Sequence, residues 1–204
     1  MGPSISYAIT THNEGSSVQD LIDHIKKQMS SVDELVIVDD YSTDQTTLSA
    51  LSDVRLVYKR KLNNNFSSQK NYLNSKCTKD YIFQFDGDEL PSESLLSVAK
   101  HFVKNYQDTD LFWIPRDNQL FELDMDYINK WGWVVDTQNR INYPDYQGRL
   151  FKNSDDIRWT RPVHEIISGH ETQRVFPINA GVDILHTRHM SRQIQSNAYY
   201  DENF

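Results

Sequence analysis

Three carboxylates crowd around one glycine in the middle of the chain, where Asp86-Gly87-Asp88-Glu89 follows an apolar, aromatic run over residues 81–85. Such a run predicts a buried strand, and a hydrophobic core does not take up unpaired carboxylates at that density. In an extended segment residues two apart share a side, so Asp86 and Asp88 form a pair. Hard oxygen donors placed in this way suit Mg2+ or Mn2+. The alternative is an acidic cluster favoured by the dipole of the helix that follows.

Strands and helices alternate regularly around this motif. Short apolar, β-branched or aromatic runs predict strands at residues 5–10, 34–38, 54–58, 81–85 and 110–115. Apolar residues at three- and four-residue spacing, with Ser or Asp as N-caps, predict helices at residues 17–29, 44–51, 66–77 and 92–106. This order is typical of an α/β fold with a mainly parallel central sheet flanked by helices. Ligands bind such sheets at the carboxyl ends of the strands.

The alternation stops after Arg116. Residues 121–146 are aromatic and polar without a clear period, which indicates a long ordered loop or a small antiparallel excursion over the sheet rim, in contact with substrate. Late strands are predicted at residues 148–152 and 182–186, and the tail from residue 191 receives no assignment. We therefore expect a small antiparallel or loop-rich C-terminal part.

Length and composition limit the class of protein. With 204 residues, we expect one domain over residues 1–204, with residues 1–116 and 117–204 as its two halves. The net charge of -8 argues against a broadly basic nucleic-acid surface. Cys77 is the only cysteine, which excludes an intrachain disulfide and favours a reducing compartment. Without a long apolar run or signal-peptide pattern, we expect a cytoplasmic protein with no stable membrane insertion.

Several motifs, in this order, resemble those of glycosyltransferase family 2, which has the nucleotide-diphospho-sugar transferase (GT-A) fold. They are the Thr-x-x-Asn-Glu-like loop after the first strand, Val38-Asp39-Asp40-Tyr41-Ser42-Thr43-Asp44-Gln45-Thr46, and Asp86-Gly87-Asp88-Glu89. The resemblance covers residues 4–116. Three further blocks are similar to its lipopolysaccharide-core glucosyltransferase branch: Phe66-Ser67-Ser68-Gln69-Lys70-Asn71, Arg149-Leu150-Phe151-Lys152 and Val163-His164-Glu165.

The resemblance implies a UDP-sugar donor and a set of residues around it. The implied nucleotide-binding residues are Thr10, Thr11, His12, Asn13, Glu14, Asp39, Asp40, Lys70, Asp86 and Gly87. His12 would stack on the base, and Asp40, with Asp39 beside it, would accept from the uracil imide. Lys70 stands where the family usually has Arg and would contact the diphosphate. The alternatives are a solvated loop histidine, one turn-capping aspartate and a surface lysine.

The resemblance also implies a metal site and a catalytic base. Asp86 would lie near the ribose and metal, Asp88 would bind Mn2+ or Mg2+ directly, and His186 would add a ligand from the end of a late strand. Glu165 is the candidate base for a single displacement with inversion, by analogy with inverting hydrolases. The alternative for Glu165 is a structural His-Glu pair; Glu89 and Asp145 are the replacement bases.

Other residues carry weaker expectations. Trp131 and Trp133 would form a sugar-stacking wall or anchor a loop, and Arg149 would contact phosphate.

The sequence thus predicts a metal-dependent, inverting transferase that moves a sugar from a UDP-sugar to a glycan or glycolipid hydroxyl. One alternative acceptor is a hydroxylated base in DNA, which would require a local basic patch formed by Lys59, Arg60, Lys61, Lys70, Lys76 and Lys79. A non-catalytic sugar-binding module is the other alternative. Nucleotidyl transfer is disfavoured because residues 10–15 contain one glycine and neither lysine nor arginine.

Overall fold

The computed structural model describes residues 2–178 and 180–203, with side chains described for residues 2–178 and 180–198. The strands are β1 (Ile5–Thr11), β2 (Glu34–Asp39), β3 (Leu56–Lys59), β4 (Tyr81–Asp86), β5 (Glu89–Pro91), β6 (Leu111–Phe121), β7 (Arg140–Lys152), β8 (Arg158–Thr160), β9 (Ile166–Ser168), β10 (Gln173–Val175) and β11 (Ile184–His189). The helices are α1 (Ser16–Gln28), α2 (Gln45–Ser52), α3 (Phe66–Asn74), α4 (Leu95–Asn105), α5 (Met125–Trp131) and α6 (Met190–Asn203). Phe204, the last residue of the unassigned tail, lies outside the described residues.

The main sheet has the order β3-β2-β1-β4-β7-β6-β11-β5, with β10 paired to β6. The first four strands are parallel, as the alternating sequence predicted. β7 then runs antiparallel to both β4 and β6, and β5 runs antiparallel to β11. The carboxyl ends of β1, β2 and β4 therefore share one rim, to which the second half of the chain adds long antiparallel strands.

Period-two alternation along the central strands builds a core on each face of the sheet. Ile5, Tyr7 and Ile9 of β1 are fully buried against α1 and α4. On the opposite face Ala8 belongs to a second buried cluster with Leu73 of α3 and with residues of the β8–β9 hairpin. The sheet is therefore covered on both sides, as a parallel α/β sheet requires.

Residues 121–146 do not form the long ordered loop that was one of the two predictions for this segment. α5 and the first half of β7 lie in this segment, and the pairing of β6 with β7 confirms the antiparallel alternative. α3 also ends at Asn74 rather than at Cys77. Among the described residues, no helix combines the length and apolar character needed to cross a membrane.

Asp33, just before β2, is a buried carboxylate that joins separate elements. It accepts hydrogen bonds from the backbone N–H groups of Ile5 (3.0 Å) and Ser30 (2.7 Å), and forms a 2.8 Å ion pair with Lys100 of α4. Burial alone would raise the pKa of this carboxyl, but the hydrogen bonds from Lys100, Ser30 and Ile5 outweigh burial and lower the pKa. Folding therefore stabilises the charged form.

We predict that Asp33→Asn lowers the free energy of unfolding by about 1–3 kcal/mol at pH 7. Because the pKa is lower in the folded state, the contribution of Asp33 is complete above its unfolded pKa of about 3.9 and is lost as the pH falls through the folded value. Urea unfolding at pH 7 and pH 3 should therefore show a difference from wild type that shrinks in acid. Asp23→Asn, at an exposed position of α1, is the matched control. An equal difference at both pH values would contradict the assignment.

Candidate active site

Loops at the carboxyl ends of β1, β2 and β4 open into a cleft of about 630 Å³, which α3, β7, β11 and α6 close from the other side. The cleft brings together most of the residues that the sequence predicted: Thr10, Thr11, His12, Glu14, Asp40, Lys70, Asp86, Gly87, Asp88, Glu165 and His186. Asn13 and Asp39 do not line it. Residues from both halves of the chain thus meet at one rim.

One end of the cleft is formed by the β1 and β2 loops. His12 Nδ1 lies 2.7 Å from the carbonyl oxygen of Asp40 and 3.9 Å from its carboxylate. The other Asp40 carboxylate oxygen accepts from the backbone N–H of Leu62 at 3.0 Å. This end offers an exposed imidazole, a carboxylate and an apolar side chain, which suit a planar base with an N–H donor.

Asp39 and Asn13 shape the turns behind this end instead of facing it. Asp39 is completely buried, and its Oδ1 accepts from the hydroxyl (2.6 Å) and backbone N–H (3.0 Å) of Ser42. Asn13 Oδ1 accepts from the backbone N–H groups of Thr43 and Asp44. Of the aspartate pair, Asp40 therefore faces the cleft and Asp39 holds the turn, which is the turn-capping alternative for one of the two. The nucleotide-binding roles of Asn13 and Asp39 stay predictions.

Gly87 is required by close packing of the carboxylate loop against β1. A Cβ atom at this position would lie 2.9 Å from Thr11 Oγ1 and 3.2 Å from the carbonyl oxygen of Thr10. Any larger residue would push the loop away from β1. The glycine thereby keeps Asp86 and Asp88 beside the nucleotide end of the cleft.

Asp86 and Glu89 share one buried arginine. Arg149 of β7 is 2% exposed, and its Nη2 donates to Asp86 Oδ2 at 2.7 Å and to Glu89 Oε1 at 2.6 Å. Burial raises the pKa of Asp86, but the charges of Arg149 and Lys70 outweigh burial and hold the pKa well below its usual value. Glu89 also accepts from the backbone N–H of Asp86 and from Arg116. Glu89 is thus a structural anchor of the loop.

Asp88 is held from the opposite side by β11. The pairing of β5 with β11 places Glu89 opposite His186, so Asp88 meets the alternating residues His186 and Arg188. Arg188 donates to Asp88 Oδ2 through Nε (3.0 Å) and Nη2 (2.6 Å). Burial raises the pKa of Asp88, but the hydrogen bond to His186 and the charge of Arg188 lower it below its usual value.

The donor set around Asp88 fits a divalent cation held by two protein groups. His186 Nδ1 lies 2.9 Å from Asn118 Oδ1, which orients the ring so that Nε2 lies 3.4 Å from Asp88 Oδ2. Loss of the Nε2 proton that interacts with Asp88 would free the Nε2 lone pair for a cation. A histidine oriented through its other nitrogen is the usual arrangement of a metal ligand. No group of three or more His, Cys, Asp or Glu side chains among the described residues is placed to hold one ion.

The three predicted metal ligands, Asp86, Asp88 and His186, are therefore not placed to bind one ion together. Asp86 is engaged by Arg149 and, at 3.5 Å, by Lys70. Mg2+ is often bound by one or two protein groups together with substrate phosphates and water. A cation held by Asp88 and His186 would have to bind Asp88 through Oδ1 or displace Arg188 from Oδ2.

Glu165 lies across the cleft, on the segment between β8 and β9. Its side chain is 16% exposed, and Oε1 lies 2.5 Å from the ammonium of Lys70. Of the replacement bases, Glu89 is 1% exposed, and Asp145 is paired with Arg116 at 2.6 Å. Neither of them lines the cleft. Of these three carboxylates, Glu165 alone lines the cleft.

Trp133 lines the cleft, but Trp131 lies outside it with 40% of its surface exposed. The expected two-tryptophan wall is therefore not formed. Of the six residues of the proposed basic patch, Lys70 is 5% exposed and ion-paired with Glu165, so it adds no free charge to that surface.

Sequence reasoning missed several lining residues. These are Leu62, Phe66, Gln69, Arg116, Gln147, Trp159, Arg188, Gln193 and Asn197. Two signals could have found some of them. Arg188 is two residues from His186 and shares its side of a strand, and Gln193 and Asn197 are four residues apart and share one face of a helix.

Comparison with known sequences places these features in a family. The sequence profile described as Glycosyl transferase family 2 matches residues 6–195. The chain is 29% identical over 170 residues to the SPbeta prophage-derived glycosyltransferase SunS of Bacillus subtilis (strain 168), covering 80% of this chain and 34% of that protein. It is 32% identical over 106 residues to an uncharacterized glycosyltransferase of Rickettsia bellii, covering 51% of this chain and 34% of that protein. The chain spans about a third of the length of these relatives.

Solved structures show the same architecture. S. aureus TarS in complex with UDP-GlcNAc superposes with a TM-score of 0.61 at 15% identity, covering 91% of this chain and 58% of TarS. Glucosyl-3-phosphoglycerate synthase from Mycobacterium tuberculosis, in complex with Mg2+ and UDP, gives a TM-score of 0.51 at 15% identity, covering 74% of this chain and 57% of the synthase. The predicted GT-A fold is confirmed. Since the family profile spans most of its length, the chain belongs to glycosyltransferase family 2.

Proposed function

We propose that this chain transfers a sugar from a UDP-sugar to an acceptor hydroxyl of a glycan or glycolipid, with inversion and with the help of Mn2+ or Mg2+. One observation carries the proposal: a single cleft contains the Asp40 end, the Asp88–His186 pair and the Glu165 carboxylate. The complexes of TarS with UDP-GlcNAc and of the mycobacterial synthase with Mg2+ and UDP support a UDP-linked donor.

The donor would lie along the β1, β2 and β4 rim. His12 and Asp40 would bind the uracil, with the Asp40 carboxylate accepting its imide proton. Asp88 and His186 would hold the cation, which when bound neutralises charge on the leaving diphosphate. Asp86, at the end of β4, lies between these two groups and would accept hydroxyl hydrogen bonds from the donor through Oδ1. Arg149 keeps that carboxylate charged and fixed.

Glu165 would act as the general base. Lys70 engages Oε1, which leaves Oε2 to take the proton from the acceptor hydroxyl as that oxygen attacks the anomeric carbon. The bond from the anomeric carbon to the diphosphate breaks as the new bond forms, and UDP leaves. Attack opposite the leaving group in one displacement inverts the anomeric centre.

We predict that Asp88→Asn removes the metal-dependent part of UDP affinity. Wild type should bind UDP at least about tenfold more tightly with Mn2+ than without it, equivalent to about 1.4 kcal/mol. The variant should bind equally under both conditions, because its amide is a weaker ligand than a carboxylate. Isothermal titration calorimetry measures both affinities. Asp20→Asn, at an exposed position of α1, is the control and should behave as wild type. A full Mn2+ effect in Asp88→Asn would contradict Asp88 as a ligand.

We predict that Glu165→Gln keeps UDP affinity and lowers turnover by about 10²–10⁴-fold, the usual contribution of a general base. Turnover is measured as UDP release from UDP-glucose and from UDP-N-acetylglucosamine. The acceptors tested are simple glycosides, glycolipids and oligonucleotides that contain hydroxymethylated bases. Glu171→Gln, at an exposed position, is the control. Unchanged turnover would exclude Glu165 as the base. UDP binding by wild type without turnover on any acceptor would favour a binding module.

A further inference from the structure

The ammonium of Lys70 is enclosed on three sides inside the cleft wall. It lies 2.5 Å from Glu165 Oε1, 3.5 Å from Asp86 Oδ1 and 4.7 Å from the ring centroid of Trp159. The residue is 5% exposed. Of these three neighbours, Glu165 is the hydrogen-bond partner, while Asp86 contributes charge and Trp159 a cation–π contact. The strongest contact of Lys70 is therefore with Glu165 and not with the donor rim.

α3 also fixes the backbone of the segment that carries Glu165. Asn71 donates to the carbonyl oxygen of Trp159 at 2.8 Å and accepts from its backbone N–H at 2.9 Å. The N–H of Phe66, at the start of α3, donates to the carbonyl oxygen of Pro162 at 2.8 Å. Trp159 is held in turn by its indole N–H, which donates to Gln84 of β4 at 2.8 Å. α3 therefore holds this segment in two ways. Asn71 and the N–H of Phe66 bond to its backbone, and Lys70 bonds to the side chain of Glu165.

We propose that Lys70 is a positioning residue that holds Glu165 in place for proton abstraction, and that it links Glu165 to Asp86 on the donor side. This inference rests on the proposed role of Glu165 as base. A glutamate side chain has three rotatable bonds and loses its orientation without a partner. The ion pair fixes one carboxylate oxygen and directs the other, and misplacement of a reacting group by about 1 Å can cost about 10²-fold in rate.

The same lysine joins the two halves of the reaction. Asp86 belongs to the donor rim and Glu165 to the acceptor side, and one ammonium forms an ion pair with each. Removing it leaves two carboxylates without a shared counter-ion in a partly buried cleft. Lys70 thereby sets the distance between the donor rim at Asp86 and the base Glu165. The flexible side chain of Glu165 alone would not fix this distance.

We test this with Lys70→Met, which has a similar length and no charge, and with Lys70→Arg, which keeps the charge. Lys27→Met, at an exposed position of α1, is the control. The probes are UDP for binding and UDP-glucose or UDP-N-acetylglucosamine for turnover. Lys70→Met should lower kcat by about 10–100-fold while the Kd for UDP stays within about twofold of wild type. Lys70→Arg should recover most of that loss.

The double variant Lys70→Met/Glu165→Gln separates positioning from an independent contact. If Lys70 acts through Glu165, the double variant should be no slower than Glu165→Gln alone. A diphosphate contact would instead weaken UDP binding by about tenfold or more in Lys70→Met and would make the two losses multiply; either result overturns the proposal. If Lys70→Met does not fold by circular dichroism, the same comparisons are made with Lys70→Gln and with Lys70→Gln/Glu165→Gln, which keep a polar side chain at this position. Wild type that fails to bind UDP would overturn the proposed function itself, which is a separate outcome.

Discussion

The buried guanidinium of Arg149 is the interaction on which the rest of the site depends. It bonds to Asp86 at the end of β4 and to Glu89 in β5; the contact with Glu89 is buried, and the contact with Asp86 is partly buried. Burying a carboxylate such as Glu89 without a cation would cost several kcal/mol, and Arg149, together with Arg116, offsets that cost. The antiparallel insertion of β7 next to β4 is what makes this contact possible. The acidic loop and the second half of the sheet therefore stabilise each other.

This constraint explains how the two halves of the chain build one cleft. Parallel strands β1, β2 and β4 bring their polar loops to one rim, as in other open α/β sheets. β11 reaches the same rim beside β6 and delivers His186 and Arg188 to Asp88. α3 crosses from the donor half and clamps the segment that carries Glu165. Each charged group at the rim is oriented by an opposite charge from another element, which is a form of preorganisation.

The sequence predicted the parallel half of the fold and most of the cleft residues, because period and loop chemistry are local signals. Prediction from the sequence failed where the buried side chains are polar. The buried face of α3 includes Ser67, Gln69 and Lys70 beside Leu73, and apolar spacing does not indicate buried polar residues of this kind. The roles of Glu89 and Asp39 depended on partners far away in the sequence or on turn geometry. Pairings between distant charged residues are set by tertiary packing, which a single sequence does not record.

The central claim is that this cleft binds a UDP-linked donor with its base at the Asp40 end and its diphosphate at Asp88. A crystal structure of the chain with UDP and Mn2+ tests it most directly. We predict that this structure places the uracil beside His12 and Asp40, and the diphosphate beside a cation bound by Asp88 and His186. UDP bound outside the cleft, or a diphosphate held away from Asp88 and His186, would contradict it.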